Sequence, residues 1–265
     1  AVLADAQRLG YAEADPAADV QGGDAADKIA ILAGLAYGGP VPRQEIATEG
    51  IDRLQARDVA YASQLGYVVK LLAVAERQED GADPGLEQQE VPLDVRVHPT
   101  LLPRQHPLAG VHGVNNAILV EGDPVGQVMF FGPGAGAGPT ASAVVADILN
   151  IAGIRRVGGP EAGLDPLLAA SSWRRCRLVD GLTTHHRNYV RLRTRDEAGV
   201  IGRIGTCFGQ AGVSIQSIVQ FEASAEGAEI VVITHRVLES SFQAALRAIR
   251  ELAEVETIAA CLRTL

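Results

Sequence analysis

The sequence predicts an α+β protein in two parts: a mixed sheet covered by helices, then a smaller βαββαβ unit. Three observations carry this. Strand-like stretches rich in β-branched residues are interspersed with alanine-rich helical ones over residues 1–153. A glycine-, proline- and arginine-rich stretch, including RRVGGPEAGLDP, then breaks the rhythm over 154–186 and reads as a linker. Over 187–265 the signals recur in the order strand, helix, strand, strand, helix, strand.

In chain order, apolar positions recur at helical spacing from Ala1 to Leu9, and Gly10 stops them. Asp24–Tyr37 is the strongest helix, with Ile29, Ile31, Leu32 and Leu35 expected on its buried face and Gly38, Gly39 and Pro40 ending it. Further helix is expected between Asp52 and Gly66, and a strand over Tyr67–Arg77. A polar surface turn follows over 78–90. VPLDVRVHPTLLP, NNAILVEGD and VGQVMFFG read as strands, and TASAVVADILNIAG as a helix. In the tail, YVRLRTRD, VSIQSIVQFE, AEIVVITHRV and VETIAACLRT are strands, and AGVIGRIGTCFGQAG and SFQAALRAIREL helices. That order is the ferredoxin-like split βαβ arrangement.

Composition excludes several function classes. The 265 residues carry a formal net charge of −9, with no dense basic block and only 4% aromatic residues. Neither a phosphate-backbone binder nor a base-stacking surface is expected, so no nucleic acid partner. Charges or glycines interrupt each apolar run, so no membrane partner is expected either. Cys176, Cys207 and Cys261 fit neither a disulfide framework nor a zinc spacing, which points to a reducing cytoplasm and no metal. Cys207 reads as a buried helix residue, and His185 and His186 as solvated linker residues. The chain begins at Ala1, its single methionine is Met129, and its first residues read as mid-domain helix. The expectation is the C-terminal part of a longer protein.

The chemistry-bearing stretch is EADPAADVQGGDAADK, Glu13 to Lys28. With Asp24 as N-cap, Asp27 stands at the capping-box position and Lys28 one turn beyond Asp24. One reading is a capped helix with an i,i+4 ion pair on a wet surface. The other is a pocket for a small zwitterion, in which Glu13, Asp19 and Asp24 hold an ammonium group and Lys28 meets a hydroxyl or carbonyl. A lysine near a helix N-terminus faces the positive end of the dipole, and Gly22 and Gly23 permit close backbone approach. Both features favour the second. Gly132, Gly134 and Ala137 satisfy G-x-G-x-x-A. No second βαβ unit follows, however, nor an acid about twenty residues on to hold a ribose, so this is not a dinucleotide phosphate loop.

AQRLGYAEADPAADVQGGDAADK (Ala6–Lys28) resembles the signature of the homoserine dehydrogenase family: alanine, glycine, Asp-Pro, then D-[hydrophobic]-x-G-x-D-x-x-x-K. The resemblance continues through RVHPTLLPRQHPLAGVHGVNNAILVEGDPVGQVMFFGPGAGAGPTASAVVADI and covers roughly Ala1 to Ile151. It implies that Glu13 and Asp24 hold the substrate, that Lys28 donates or accepts the proton, and that Asp19 positions the loop or supports Lys28. The implied reaction is NAD(P)-dependent interconversion of L-homoserine and L-aspartate 4-semialdehyde, in threonine, methionine and isoleucine biosynthesis. Gly134 and Gly136 would then face the nicotinamide, although a plain glycine-rich connection fits the same residues. Family members also carry an N-terminal nucleotide-binding domain, an Asn-Gly-Thr-Thr-Asn-type segment and a further lysine, none of which is in this sequence. The cofactor would thus be bound mainly by a domain missing here, leaving this chain alone inactive.

Residues 187–265 resemble an ACT domain, through their element order and RDEAGVIGRIGTCFGQAGVSIQSI. Gly199 and Val200 at a helix start, with Val213 and Ser214 at the next strand, would take an amino-acid effector; threonine is the one the family suggests. Such domains pair by sheet edges, implying a homodimer or homotetramer. The alternative is a non-enzymatic amino-acid-binding or dimerisation chain that keeps the fold.

Overall fold

The computed structural model describes residues 7–8, 15–78, 90–158, 175–224 and 227–265. Of the first predicted helix only Gln7 and Arg8 fall in that range, and both are helical. Most of the predicted turn over 78–90, and residues 159–174 of the predicted linker, lie outside the described residues.

A short helix α1 (Ala17–Val20) leads into α2 (Gly23–Tyr37), followed by β1 (Ala47–Thr48), α3 (Ala56–Gln64), β2 (Tyr67–Arg77) and β3 (Glu90–Pro103). The hairpin β4 (Asn115–Gly122) and β5 (Gly126–Pro133) precedes the long helix α4 (Ala137–Gly158). The remainder runs β6 (Arg175–Leu178), β7 (His185–Thr194), α5 (Val200–Gln210), β8 (Ile215–Ser224), β9 (Gly227–Thr234), β10 (Val237–Leu238), α6 (Glu239–Arg250) and β11 (Val255–Thr264). Strand β6 falls within the predicted linker and pairs in parallel with β3.

One nine-stranded sheet crosses the molecule in the order β1-β3-β11-β7-β9-β8, with β2 and β6 also on β3 and β10 on β7. The two halves meet in a short parallel pairing of Arg263 with Thr100 and Thr264 with Leu101. Leu265 N–H extends it to the Leu101 carbonyl at 3.1 Å. Strand β3, buried along most of its length, is the common spine.

Helix α2 buries only part of the face its large residues suggested: Ile29 packs half-buried against the core, but Ile31 and Leu35 do not. Ala26, Ala33 and Gly34 are the buried positions, whereas Ile31 and Leu35 are 66% and 57% exposed. Small side chains let the helix lie close on Val91, Leu93, Val95 and Val97 of β3, and that closeness turns Ile31 and Leu35 outward. Its N-cap is Gly22, not Asp24. Gly22 adopts φ 81°, and a Cβ there would stand 3.2 Å from Val97 Cγ1 and 3.3 Å from Thr48 Cγ2. The glycine is required by the left-handed cap and by the sheet beneath it, rather than by a packed substrate.

Two buried polar clusters dock the halves on opposite sides of the junction. On one side, Arg191 of β7 donates to Asp58 of α3 through Nε at 2.7 Å, to Gln55 at 2.8 Å and to Glu229 of β9 at 3.0 Å. Tyr189 OH adds a bond to Asp58 at 3.3 Å, and Tyr61 stacks on Phe221 with ring centroids 4.0 Å apart. Asp58 and Arg191 are fully buried. Hydrogen bonds from Tyr61 and Arg57 and the Arg191 charge outweigh burial and hold Glu229 below the usual carboxylate range. On the other side, Arg96 donates from Nε to His98 Nε2 at 3.1 Å, so His98 carries its proton on Nδ1, 2.8 Å from Thr100 Oγ1. Arg96 also pairs with Asp94, whose Oδ2 is 3.9 Å from His186 Nε2. His186 is therefore a buried junction residue and not a solvated one. Strand alternation and the pairing with Val237 turn it inward while His185 stays exposed. Cys207 is buried in the α5 core, as its helical position indicates.

The hairpin and α4 contrast with this. No described side chain of α4 is buried, and Val144, Val145, Ile148, Leu149, Ile151 and Ile154 are all exposed. Phe130 and Phe131 of β5 are likewise exposed. The segment Ala137–Arg156, with mean hydropathy 1.3, is long and apolar enough to cross a membrane by length and composition alone. This corrects the expectation that no run reaches that length: Asp147 is the one charge before Arg155, too few to interrupt it.

Two predictions follow from the junction. Asp58→Ala leaves Arg191 buried without its main partner and should destabilise the chain by about 3–5 kcal/mol in urea unfolding. Burial, with Arg96 and Arg263 nearby, pushes His98 down to about 3 and His186 to about 2. Their unfolded value is 6.5, so the unfolded chain takes up protons first as the pH falls. The stability they contribute is complete above pH 6.5 and declines from there towards the folded values. Asp94, which burial pushes upward, acts in the opposite sense. The urea midpoint should fall between pH 7 and about 5, and His186→Gln should flatten that slope.

Candidate functional site

Of the four residues expected to converge on a substrate, the structure joins two. Lys28 and Asp24 form an i,i+4 ion pair on the first turns of α2, with side chains 61% and 46% exposed. Such a pair by itself contributes roughly 0.2–0.5 kcal/mol. Asp19 ends up exposed on α1, where its carbonyl accepts the Gly22 N–H at 3.3 Å. Glu13 lies outside the described residues. Asp27, the expected capping-box partner, pairs instead with Arg43, whose NH2 also donates to the Gly23 carbonyl at 3.1 Å. Asp15, just ahead of α1, accepts from Ala17 N–H at 3.0 Å. The arrangement presents an ammonium and a carboxylate side by side at the positive end of a 15-residue helix. Neither cavity described below includes them.

The glycine loop after β5 is shaped by the hairpin. Gly134 N–H donates to the Val114 carbonyl at 3.1 Å, and a Cβ at 134 would stand 1.3 Å from Asn116 Nδ2. The Asn116 amide thus occupies the space that glycine leaves open. Gly136, at φ 117°, starts the turn into α4 and accepts Thr140 N–H at 3.1 Å. Beside the loop is a cavity of about 350 Å³ bordered by Lys70, Val111, His112, Asn115 and Asn116. These residues were not singled out in the sequence. The available signal was Lys70 itself, a lone cation inside the apolar strand YVVKLLAVA.

A second cavity, of about 320 Å³, lies at the start of α5 between Arg195, Gly199, Val200 and Gln220. Gly199 adopts φ 87°, and a Cβ there would stand 3.0 Å from Arg203 NH1. Arg203 pairs with Glu254 at 2.9 Å, while its buried Nε has no partner among the described residues. Val213 is buried in the core, and Ser214 shares a hydrogen bond with His235 at 3.1 Å. Both stand outside this lining. Among the described residues no group of three or more histidine, cysteine, aspartate or glutamate side chains is placed to hold a metal.

The family model described as "Homoserine dehydrogenase" matches residues 1–149, and the ACT domain model matches 188–254. The chain belongs to the homoserine dehydrogenase family. It is 51% identical over 266 residues to the homoserine dehydrogenase of Synechocystis, covering all of this chain and 59% of that protein. The Pseudomonas aeruginosa homoserine dehydrogenase is 39% identical, over 95% of this chain and 56% of its own length. A solved homoserine dehydrogenase from Thiobacillus denitrificans superposes with a TM-score of 0.88 at 37% identity, over 100% of this chain and 57% of that one. The chain thus spans less than two thirds of the length of these relatives. Homoserine dehydrogenases are NAD(P)-dependent oxidoreductases acting on a small molecule, and an ACT domain implies an amino-acid effector.

Gly134→Ala should expel the Asn116 amide and destabilise the chain by about 1–3 kcal/mol, read as a lowered urea midpoint with the largest amide shifts at Asn116.

Proposed function

We propose that the chain is the substrate-binding and regulatory part of a homoserine dehydrogenase that interconverts L-homoserine and L-aspartate 4-semialdehyde, in the cytoplasm. The observation that carries this is the Asp24–Lys28 pair at the head of α2, inside the segment that matches the family. In the reducing direction a carbonyl oxygen becomes an alkoxide and must gain a proton. In this reading the Lys28 ammonium supplies it, and in the reverse direction the amine accepts it. Asp24 orients the ammonium and, with Glu13, would receive the substrate's own ammonium group; Asp19 shapes the loop between them. NAD(P) supplies or takes the hydride.

The described residues hold no βαβ dinucleotide unit, and Asn116 fills the gap at Gly134, so Gly134 is spoken for by the hairpin. Gly136, which meets only Pro139, remains free to border a nicotinamide. We therefore assign the cofactor mainly to the portion that the relatives carry beyond this span. The bare apolar flank of α4 is where we place that portion, rather than lipid, because an apolar helix of this length gains its stability from being covered.

The cavity at Gly199 and Val200 is the effector site in this reading, with threonine as ligand and Arg203 beside the helix start. Strand β3 covers only the C-terminal end of β11, and β8 is the opposite edge of the tail sheet, through which two copies would pair.

In the longer protein, Lys28→Ala should lower kcat by roughly 10²–10⁴-fold, and near-normal turnover would remove Lys28 from the mechanism. Calorimetry of threonine with the 265-residue chain should show binding that Gly199→Val abolishes; the absence of heat with the unaltered chain would reduce the tail to a pairing module.

A further inference from the structure

The cavity beside Lys70 belongs to neither site assigned above. Leu71 and Ala73 of β2 pack into the core under α2, so alternation sends Lys70 and Leu72 to the opposite face of the sheet. There the segment between β3 and β4 folds back beside them and borders a cleft of about 350 Å³.

Three features give that space a sign. Its lining contains no carboxylate, although the chain as a whole has a formal net charge of −9. Lys70 is half-buried and forms no ion pair among the described residues. Its Nζ donates to the Val111 carbonyl, which uses one of three protons and holds the ammonium at the cavity wall instead of letting it extend into water. Asn115 borders the space with further N–H donors, whereas the side chain of Asn116, its neighbour on β4, lies against Gly134. A half-buried ammonium without a counter-ion carries a desolvation cost that an anion would remove, with charge-assisted hydrogen bonds added. Leu72, Leu108 and Val111 supply an aliphatic wall beside these donors.

We propose that this cavity binds a small carboxylate with a short aliphatic body. Lys70 is its counter-ion, the side-chain amide of Asn115 hydrogen-bonds its oxygens, and the aliphatic wall takes its chain. The assignment does not depend on the role of Lys28.

The test is a titration of the isotopically labelled 265-residue chain with butyrate at constant ionic strength, followed through the side-chain amide of Asn115. Inorganic phosphate and chloride serve as parallel arms. The expected result is saturating shifts with butyrate, weaker ones with phosphate and none with chloride. Lys70→Met should weaken butyrate binding by roughly tenfold or more. Should Lys70→Met unfold, Asn115→Ala must show a loss of several-fold with unchanged thermal unfolding. Shifts that grow linearly, that match those with chloride, or that survive the substitution would overturn the proposal. Tighter saturation by phosphate would overturn the carboxylate assignment.

Discussion

The architecture turns on the buried contact between Arg191 and Asp58. Each residue belongs to a different half of the chain, α3 in the first and β7 in the second, and both are removed from water. A lone buried charge of either sign would be strongly unfavourable, so each half completes the other's electrostatics. Gln55 and Glu229 accept one further guanidinium proton each, and Tyr189 bonds to the same carboxylate. The backbone join between β3 and β11 is only two residue pairs long and could not by itself set the orientation of the halves. The side chains flanking it do so, on both faces of the sheet.

This docking has a consequence for regulation. Thr194 and Ile230, which border the cavity at Gly199, lie on the same strands as Arg191 and Glu229. The proposed effector cavity and the junction with α3 are therefore a few residues apart on β7 and β9. A ligand that moved either strand would act directly on the charge cluster that fixes the orientation of the halves.

The Asp24–Lys28 pair shows the opposite character. It is exposed, held by one helix, and adds little to stability. A pair of that kind is free to interact with something else. The same incompleteness appears at Ile31, Leu35, the β4–β5 hairpin and α4, whose apolar side chains face outward. The halves lock together at a finished junction, whereas these elements and the Asp24–Lys28 pair lie exposed.

Much of this was legible in the amino-acid order because it is local. Helix periodicity in α2, α5 and α6, strand alternation along β7 to β9, and the D-x-x-x-K spacing that pairs Asp24 with Lys28 each depend on residues within a turn or two of one another. Tertiary structure decided what depends on distant neighbours. It chose Ala26, Ala33 and Gly34 over Ile31 and Leu35 as the buried face of α2, because close approach to β3 selects for small side chains. It moved the helix cap from Asp24 to Gly22, turned His186 inward, and gathered Lys70, His112 and Asn116 around one cavity across a separation of more than forty residues. Side-chain type and spacing determine what an element can bury or bind; only the packing of one element on another determines which of those capacities is used.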